Sequence, residues 1–140
     1  MKLVYLEKFY EQTKDLYCIP CSQDEITKLE ESVGSPLPDA YKEFLLLMGK
    51  GAHGFMTGSD VFYHLLFDLT EGAHELLIED KSPLILPEKA FVFWMHQGYQ
   101  FLFFNLNEGP DPKVYYYLEG KKITNFEDKG VFSEYISQFI

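Results

Sequence analysis

Apolar residues run almost without interruption from Ala90 to Leu118. The stretch reads Ala-Phe-Val-Phe-Trp-Met-His, then a Gln-Gly break, then Tyr-Gln-Phe-Leu-Phe-Phe-Asn. A Gly/Pro/Asp-rich loop and Lys-Val-Tyr-Tyr-Tyr-Leu follow. Three β-rich runs parted by turn residues predict a meander of antiparallel strands. The first two runs are apolar at nearly every position, so both of their faces are expected to be covered rather than one left wet.

Elsewhere the spacing is helical. Leu3, Leu6, Phe9 or Tyr10, and Thr13 predict a first helix, broken before Pro20. Ser22-Gln-Asp-Glu25 is a capping box, Ile26, Leu29 and Val33 give the stripe behind it, and Gly34 stands at the expected terminator. Pro38 leads into a third helix with Tyr41, Phe44, Leu45 and Met48 inward and Gly49 at its end. Val61 to Leu66 reads as a short strand. Asp68-Leu-Thr-Glu71 then reads as a second cap, opening a helix through Glu79 or Asp80 with Leu69, Ala73, Leu76 and Leu77 inward. Gly72 weakens that helix by about 1 kcal/mol against Ala. Pro83 and Pro87 bracket a linker, Lys121 to Thr124 reads as a short strand, and Phe132, Tyr135, Ile136, Phe139 and Ile140 form the stripe of a closing helix. The order predicts one α+β domain over residues 1–140, a largely antiparallel twisted sheet covered by N-terminal helices and a C-terminal helix.

Charge narrows the partners. Twenty-two acidic against twelve basic side chains leave a formal net charge of −10. An acidic surface repels nucleic acid and anionic membranes and suits a basic protein partner or plain solubility. No apolar run approaches the roughly 20 residues of a membrane span, and Glu7 and Lys8 interrupt any signal-peptide core, so a cytoplasmic location is expected. Thirteen Phe and ten Tyr suggest an aromatic core with tyrosine left over for recognition.

Candidate chemistry is sparse. Cys18-Ile-Pro-Cys21 lies just ahead of a helix, where a thiolate is favoured. It lacks the preceding strand of a thioredoxin-like unit, however, and two ordinary reduced thiols are expected. There is no second C-x-x-C for zinc, and His53, His64, His74 and His96 are scattered, so no metal or cofactor is expected. Gly49-Lys-Gly51-Ala-His-Gly54 has dinucleotide-loop spacing, but it ends a helix instead of opening one. His53 has no motif partner. Glu71, Glu75, Glu79 and Asp80 make an acidic ridge, either a solvated face or a contact for a cationic partner. In the third β-run, Val114, Tyr116 and Leu118 share one face and Tyr115 and Tyr117 the other. Either set suits the core; Tyr115 and Tyr117 are carried with the ridge as candidate partner-binding residues.

Leu37-Pro-Asp-Ala-Tyr-Lys-Glu-Phe-Leu45, followed by Gly49-Lys-Gly51, resembles the corresponding helix and glycines of the SUKH superfamily. Leu29-Glu30, Gly34, the late strands and the closing helix from Phe132 fit as well. Where family members often carry a polar or acidic residue in the middle meander strand, this chain has Phe103-Phe104-Asn105. The resemblance implies a non-enzymatic binding module, foremost an immunity protein that occludes the active site of a basic toxin domain. Its alternative is a regulatory scaffold related to cell-wall synthesis regulators.

Overall fold

The computed structural model describes residues 2–139. In chain order the elements are α1 (Glu7–Thr13), β1 (Cys18–Ile19), α2 (Gln23–Val33), α3 (Asp39–Met48), β2 (Gly51–Ala52), β3 (Ser59–Asp60), α4 (Tyr63–Glu79), β4 (Ala90–His96), β5 (Gln100–Asn105), β6 (Lys113–Leu118), β7 (Glu127–Val131) and α5 (Phe132–Ile136). A 3₁₀ turn over Ser137–Phe139 follows α5. The architecture is α+β. An antiparallel sheet has the strand order β3-β4-β5-β6-β7, and β1 pairs with β2 apart from it.

The capping box at Ser22 is present. Ser22 Oγ accepts the Glu25 N–H at 3.1 Å, and Glu25 Oε1 accepts the Ser22 N–H at 2.8 Å. Gly34 closes α2 at φ 74°, a left-handed position that suits glycine. Gly49 ends α3 for a different reason. Its φ is −59°, ordinary for any residue, but a Cβ there would lie 2.4 Å from Cys21 Sγ. Close approach of the Cys21 segment, not helix handedness, demands the glycine.

Five expectations are corrected. Val61 to Leu66 is not a strand: the strand is Ser59–Asp60, and α4 already starts at Tyr63. Tyr63, Leu66, Leu69, Ala73, Leu76 and Leu77 form one buried stripe, so the three-to-four-residue period extends further N-terminal than the Asp68 motif suggested. Asp68 is therefore an exposed interior residue, not a cap. The first N–H of α4 is satisfied instead by the Gly49 carbonyl, 2.7 Å from Tyr63 N. Lys121 to Thr124 forms no strand, and the last strand comes later, at Glu127–Val131. The closing helix is one short turn plus a 3₁₀ turn. Phe132 and Ile136 are buried, Tyr135 is half-buried and Phe139 is exposed, while Ile140 lies outside the described residues. The first helix begins at Glu7 rather than near Leu3, because the Glu43 carboxylate of α3 accepts the N–H groups of Val4, Tyr5 and Leu6 at 3.0–3.1 Å and holds that stretch non-helical.

Both faces of the meander are covered, as its apolar runs predicted. On one face α3 and α5 pack their rings: Tyr41 lies 5.0–6.1 Å from Phe44, Phe91, Phe93, Phe104 and Phe132. On the other face α4 runs beside β4, with Gly72 against Met95, and Phe126 closes over Phe101, Phe103 and Tyr117. Fully burying each such ring stabilises by about 1.5–3 kcal/mol relative to leaving it exposed.

Leu45→Ala is expected to cost about 2–5 kcal/mol in urea unfolding, since Leu45 is fully buried in this core. Tyr41→Phe should act in the opposite sense. The Tyr41 hydroxyl is buried without a partner among the described residues, and an unmet buried polar group costs about 1–3 kcal/mol. The Phe variant is thus expected to be as stable as the parent or more so. A loss above about 1 kcal/mol would reveal a hydrogen bond at that oxygen.

Candidate functional site

A single extra residue in β4 shapes the most chemically varied surface of the molecule. Val92 pairs with Phe103 and Trp94 with Leu102, so the register slips between them. A β-bulge puts two successive side chains on the same side of a strand. Phe93 joins Tyr41, Phe104 and Phe132 in the core, and Trp94 follows on that face instead of turning toward α4. The Thr70 hydroxyl of α4 accepts the Val92 N–H at 3.1 Å and fastens the bulge from behind.

Beyond the bulge the sheet is met by Tyr135 of α5 and Phe139 of the 3₁₀ turn. The open end forms a cleft of 430 Å³ lined by Ser59, Trp94, His96, Gln100, Tyr116, Lys129, Tyr135 and Phe139. Its polar groups are held in place. His96 Nδ1 meets Ser59 Oγ at 2.9 Å, with the ring 5.9 Å from Trp94 and within 8° of parallel. The Tyr116 hydroxyl donates to Gln100 Oε1. Lys129 lies 5.1 Å over the Tyr116 ring and pairs with Glu127 at 3.1 Å. Burial, with Tyr116 and Glu127 nearby, pushes the Tyr135 phenol up to about 12, so it is a hydrogen-bond donor at neutral pH. The Trp94 indole N–H is buried without an acceptor among the described residues. A second depression of 390 Å³, with Leu118, Ile123 and Glu127 in its walls, adjoins the cleft at Tyr116.

The residues singled out from sequence lie on the opposite side of the sheet. Glu71, Glu75 and Glu79 are exposed on α4, and exposed Leu65, Phe67 and Ile78 lie among them. None of the three carboxylates takes part in an ion pair among the described residues. Asp80 plays a different part: it accepts from the Tyr117 hydroxyl and from Gly120 N at 3.1 Å, tying the end of α4 to the end of β6. Tyr117 is only 2 % exposed. Tyr115 is half-buried, its hydroxyl donating to Glu108 at 3.3 Å. The structure thus groups the three glutamates on one open face and puts Asp80, Tyr115 and Tyr117 into intramolecular contacts. The cleft residues Trp94, His96, Gln100, Tyr116, Lys129 and Tyr135 escaped sequence reasoning; the one available signal was a lone Trp at the end of an apolar run.

Burial outweighs the nearby Lys50 and keeps the cysteine thiols unactivated. Cys21 is buried, and desolvation with Glu25 nearby pushes it up to about 12; Cys18 is also raised by burial. Desolvation therefore overrides any favour from the helix that follows. Gly49 ends α3 and Gly51 lies in β2, so the glycine-rich spacing opens no helix. Among the described residues no three His, Cys, Asp or Glu side chains group as metal ligands. A wider, open depression of 590 Å³ between Lys2 and Glu11 is lined by solvated charges, Leu3 and Tyr10 and has nothing to orient a ligand.

The description of the SMI1 / KNR4 family (SUKH-1) matches this chain over residues 20–140. No curated protein matches it. No helix among the described residues is long and apolar enough to cross a membrane.

Stability is expected to fall on the alkaline side. Cys21 and Tyr135 keep their protons to about 12 when folded, and Tyr41 is raised well above its usual value of 10.0. The unfolded chain releases the thiol from about pH 9 and the phenols from about pH 10. Between those values and the folded ones the folded state holds more protons, so each further rise in pH favours unfolding. Urea midpoints that stay constant from pH 8 to about 11 would contradict this assignment. In the same range Cys21 should resist alkylation by iodoacetamide until urea exposes it.

Proposed function

We propose, from the premise that the chain belongs to the SMI1 / KNR4 family (SUKH-1), that it is a non-catalytic protein-binding module of the immunity type. It neutralises a toxin by covering a basic active-site cleft. The observation that carries this reading is the outer face of α4. Glu71, Glu75 and Glu79 recur there at helical spacing, exposed and without ion-pair partners, among exposed Leu65, Phe67 and Ile78. Interfaces combine apolar contact with charge complementarity, the charges governing encounter and the apolar groups retention. A net charge of −10 adds long-range attraction for a cationic partner.

Local energetics support this reading. Like charges at i, i+4 repel by about 0.2–0.5 kcal/mol per pair, and Glu79 in the last turn opposes the helix dipole. The last turn carries no basic residue to offset them. Docking against a basic surface relieves both penalties. Asp80, Tyr115 and Tyr117 belong to this reading as the supports that fix the end of α4 and the neighbouring strand. A second reading, a regulatory scaffold with more than one partner, is favoured by the separate cleft on the other face of the sheet.

The test begins with the product of the neighbouring gene. A toxin domain encoded there should be inhibited at equimolar ratio. In stopped-flow mixing, association should slow steeply with added salt while dissociation changes less. Reversing Glu71, Glu75 and Glu79 to Lys should slow association and leave the isolated protein as stable as before, because Glu79→Lys removes the conflict with the dipole. A salt-independent rate, or a triple variant that associates at the parental rate, would take α4 out of the interface.

A further inference from the structure

We propose that Phe67 and Ile78 are the anchor of the α4 surface, seated on an apolar shoulder that borders the basic cleft of a protein partner. This role rests on the α4 reading above: the carboxylates attract the partner, and the two apolar side chains hold it.

Charge fixes the kind of partner. Residues 51–80 contain six acidic side chains and no lysine or arginine, so this one segment holds −6 of the net −10. Asp68, Glu71, Glu75 and Glu79 stand exposed there on α4. Such a field attracts a cationic protein and repels an acidic one. Solvated ion pairs contribute little once the surfaces meet, so retention falls to apolar contact.

Helix geometry places that contact. Phe67 and Ile78 are eleven residues apart, three turns and about 20°, so they share a line about 16 Å long. Glu71 and His74 fall within it, and Asp68, Glu75 and Glu79 follow along one side of it. Ile78 is 77 % exposed, with Glu75 one turn before it and Glu79 next to it in the chain. Leu65 provides the contrast. It is 44 % exposed against 43 % for Phe67, yet it lies about 140° around the helix from Ile78, with the carboxylates between. The Phe67 end of the line also continues into apolar surface. A groove of 370 Å³ opens there between the end of α2, α4 and the start of β4, with Val33, Leu66 and Ala90 in its walls. The matching partner therefore carries lysine or arginine in a cleft and an apolar row along one edge of it.

The probe is the toxin domain encoded by the neighbouring gene, in a catalytically inactive form. Phe67→Gln with Ile78→Gln keeps good helix formers and removes the apolar line. The double variant, checked for an unchanged melting curve, should dissociate about 10–100-fold faster while associating at the parental rate with the parental salt dependence. Ile78→Gln alone, at a site too exposed to affect folding, should give part of that acceleration. Leu65→Gln should dissociate as the parent does. Absence of binding, or association indifferent to salt and to the triple lysine variant, would overturn the α4 reading and the anchor with it. Salt-steered association with parental dissociation of the double variant, or equal acceleration by Leu65→Gln, would overturn the anchor alone.

Discussion

Tyr41 is the point at which the separate parts of this fold meet. Its ring touches Phe44 within α3, Phe91 and Phe93 of β4, Phe104 of β5 and Phe132 of α5. Edge-to-face pairs of this kind contribute about 0.5–1.5 kcal/mol each beyond the area they bury. Removing the ring would leave a cavity where one N-terminal helix, two strands and the closing helix meet. The Glu43 clamp works from the same helix. With α3 fixed on the sheet by Tyr41, its carboxylate is held where three backbone N–H groups of the N-terminal segment converge. One helix therefore positions both the core and the start of the chain.

The bulge in β4 decides what is left uncovered. With strict alternation after Phe91 and Phe93, Trp94 would face α4 and Met95 the α3 side. The extra residue turns it to the α3 side, at the end where the short α5 has run out. The cleft there is bounded by Tyr135 of α5 and Phe139 of the 3₁₀ turn beside the Trp94 ring. Thr70, half-buried in α4, accepts the Val92 N–H at the slip, so the helix on one face stabilises the geometry that shapes the other.

This explains which features were legible in the chain. The meander, its covered faces, α2 with its cap, and α3 follow from strong local signals that tertiary packing leaves alone. The two acid-containing cap motifs had opposite outcomes. Ser22 precedes its apolar stripe, whereas Asp68 interrupts a stripe that already includes Tyr63 and Leu66. The helix signal was present but was cut short by the preference of Val61 and Phe62 for strand. Tyr115 and Tyr117 were correctly placed on one face, but period-2 alternation does not tell which face a helix will cover. The cleft was illegible because a bulge is a property of a strand pair: nothing in Phe-Val-Phe-Trp-Met announces the slipped register that Leu102 and Phe103 impose from across the ladder.

The two candidate surfaces differ in how they keep their groups ready. On α4 the carboxylates are free and mutually repulsive, and the helix tolerates this because it is tied down elsewhere: by Asp80 to Tyr117 and Gly120, by Thr70 to Val92, and by Gly72 against Met95. Each tie is tertiary, so the acidic face needs no favourable local helix energetics to persist. In the cleft three pairs of polar groups hold one another, Ser59 with His96, Tyr116 with Gln100 and Glu127 with Lys129, which fixes their directions before anything binds. A field of unpaired charge accelerates encounter with a partner whose contacts are made elsewhere as well. Oriented neutral donors discriminate by shape and hydrogen-bond pattern at short range. The bulge thus divides the sheet into a face whose charges stand unpaired on α4 and a face whose polar groups are held by one another.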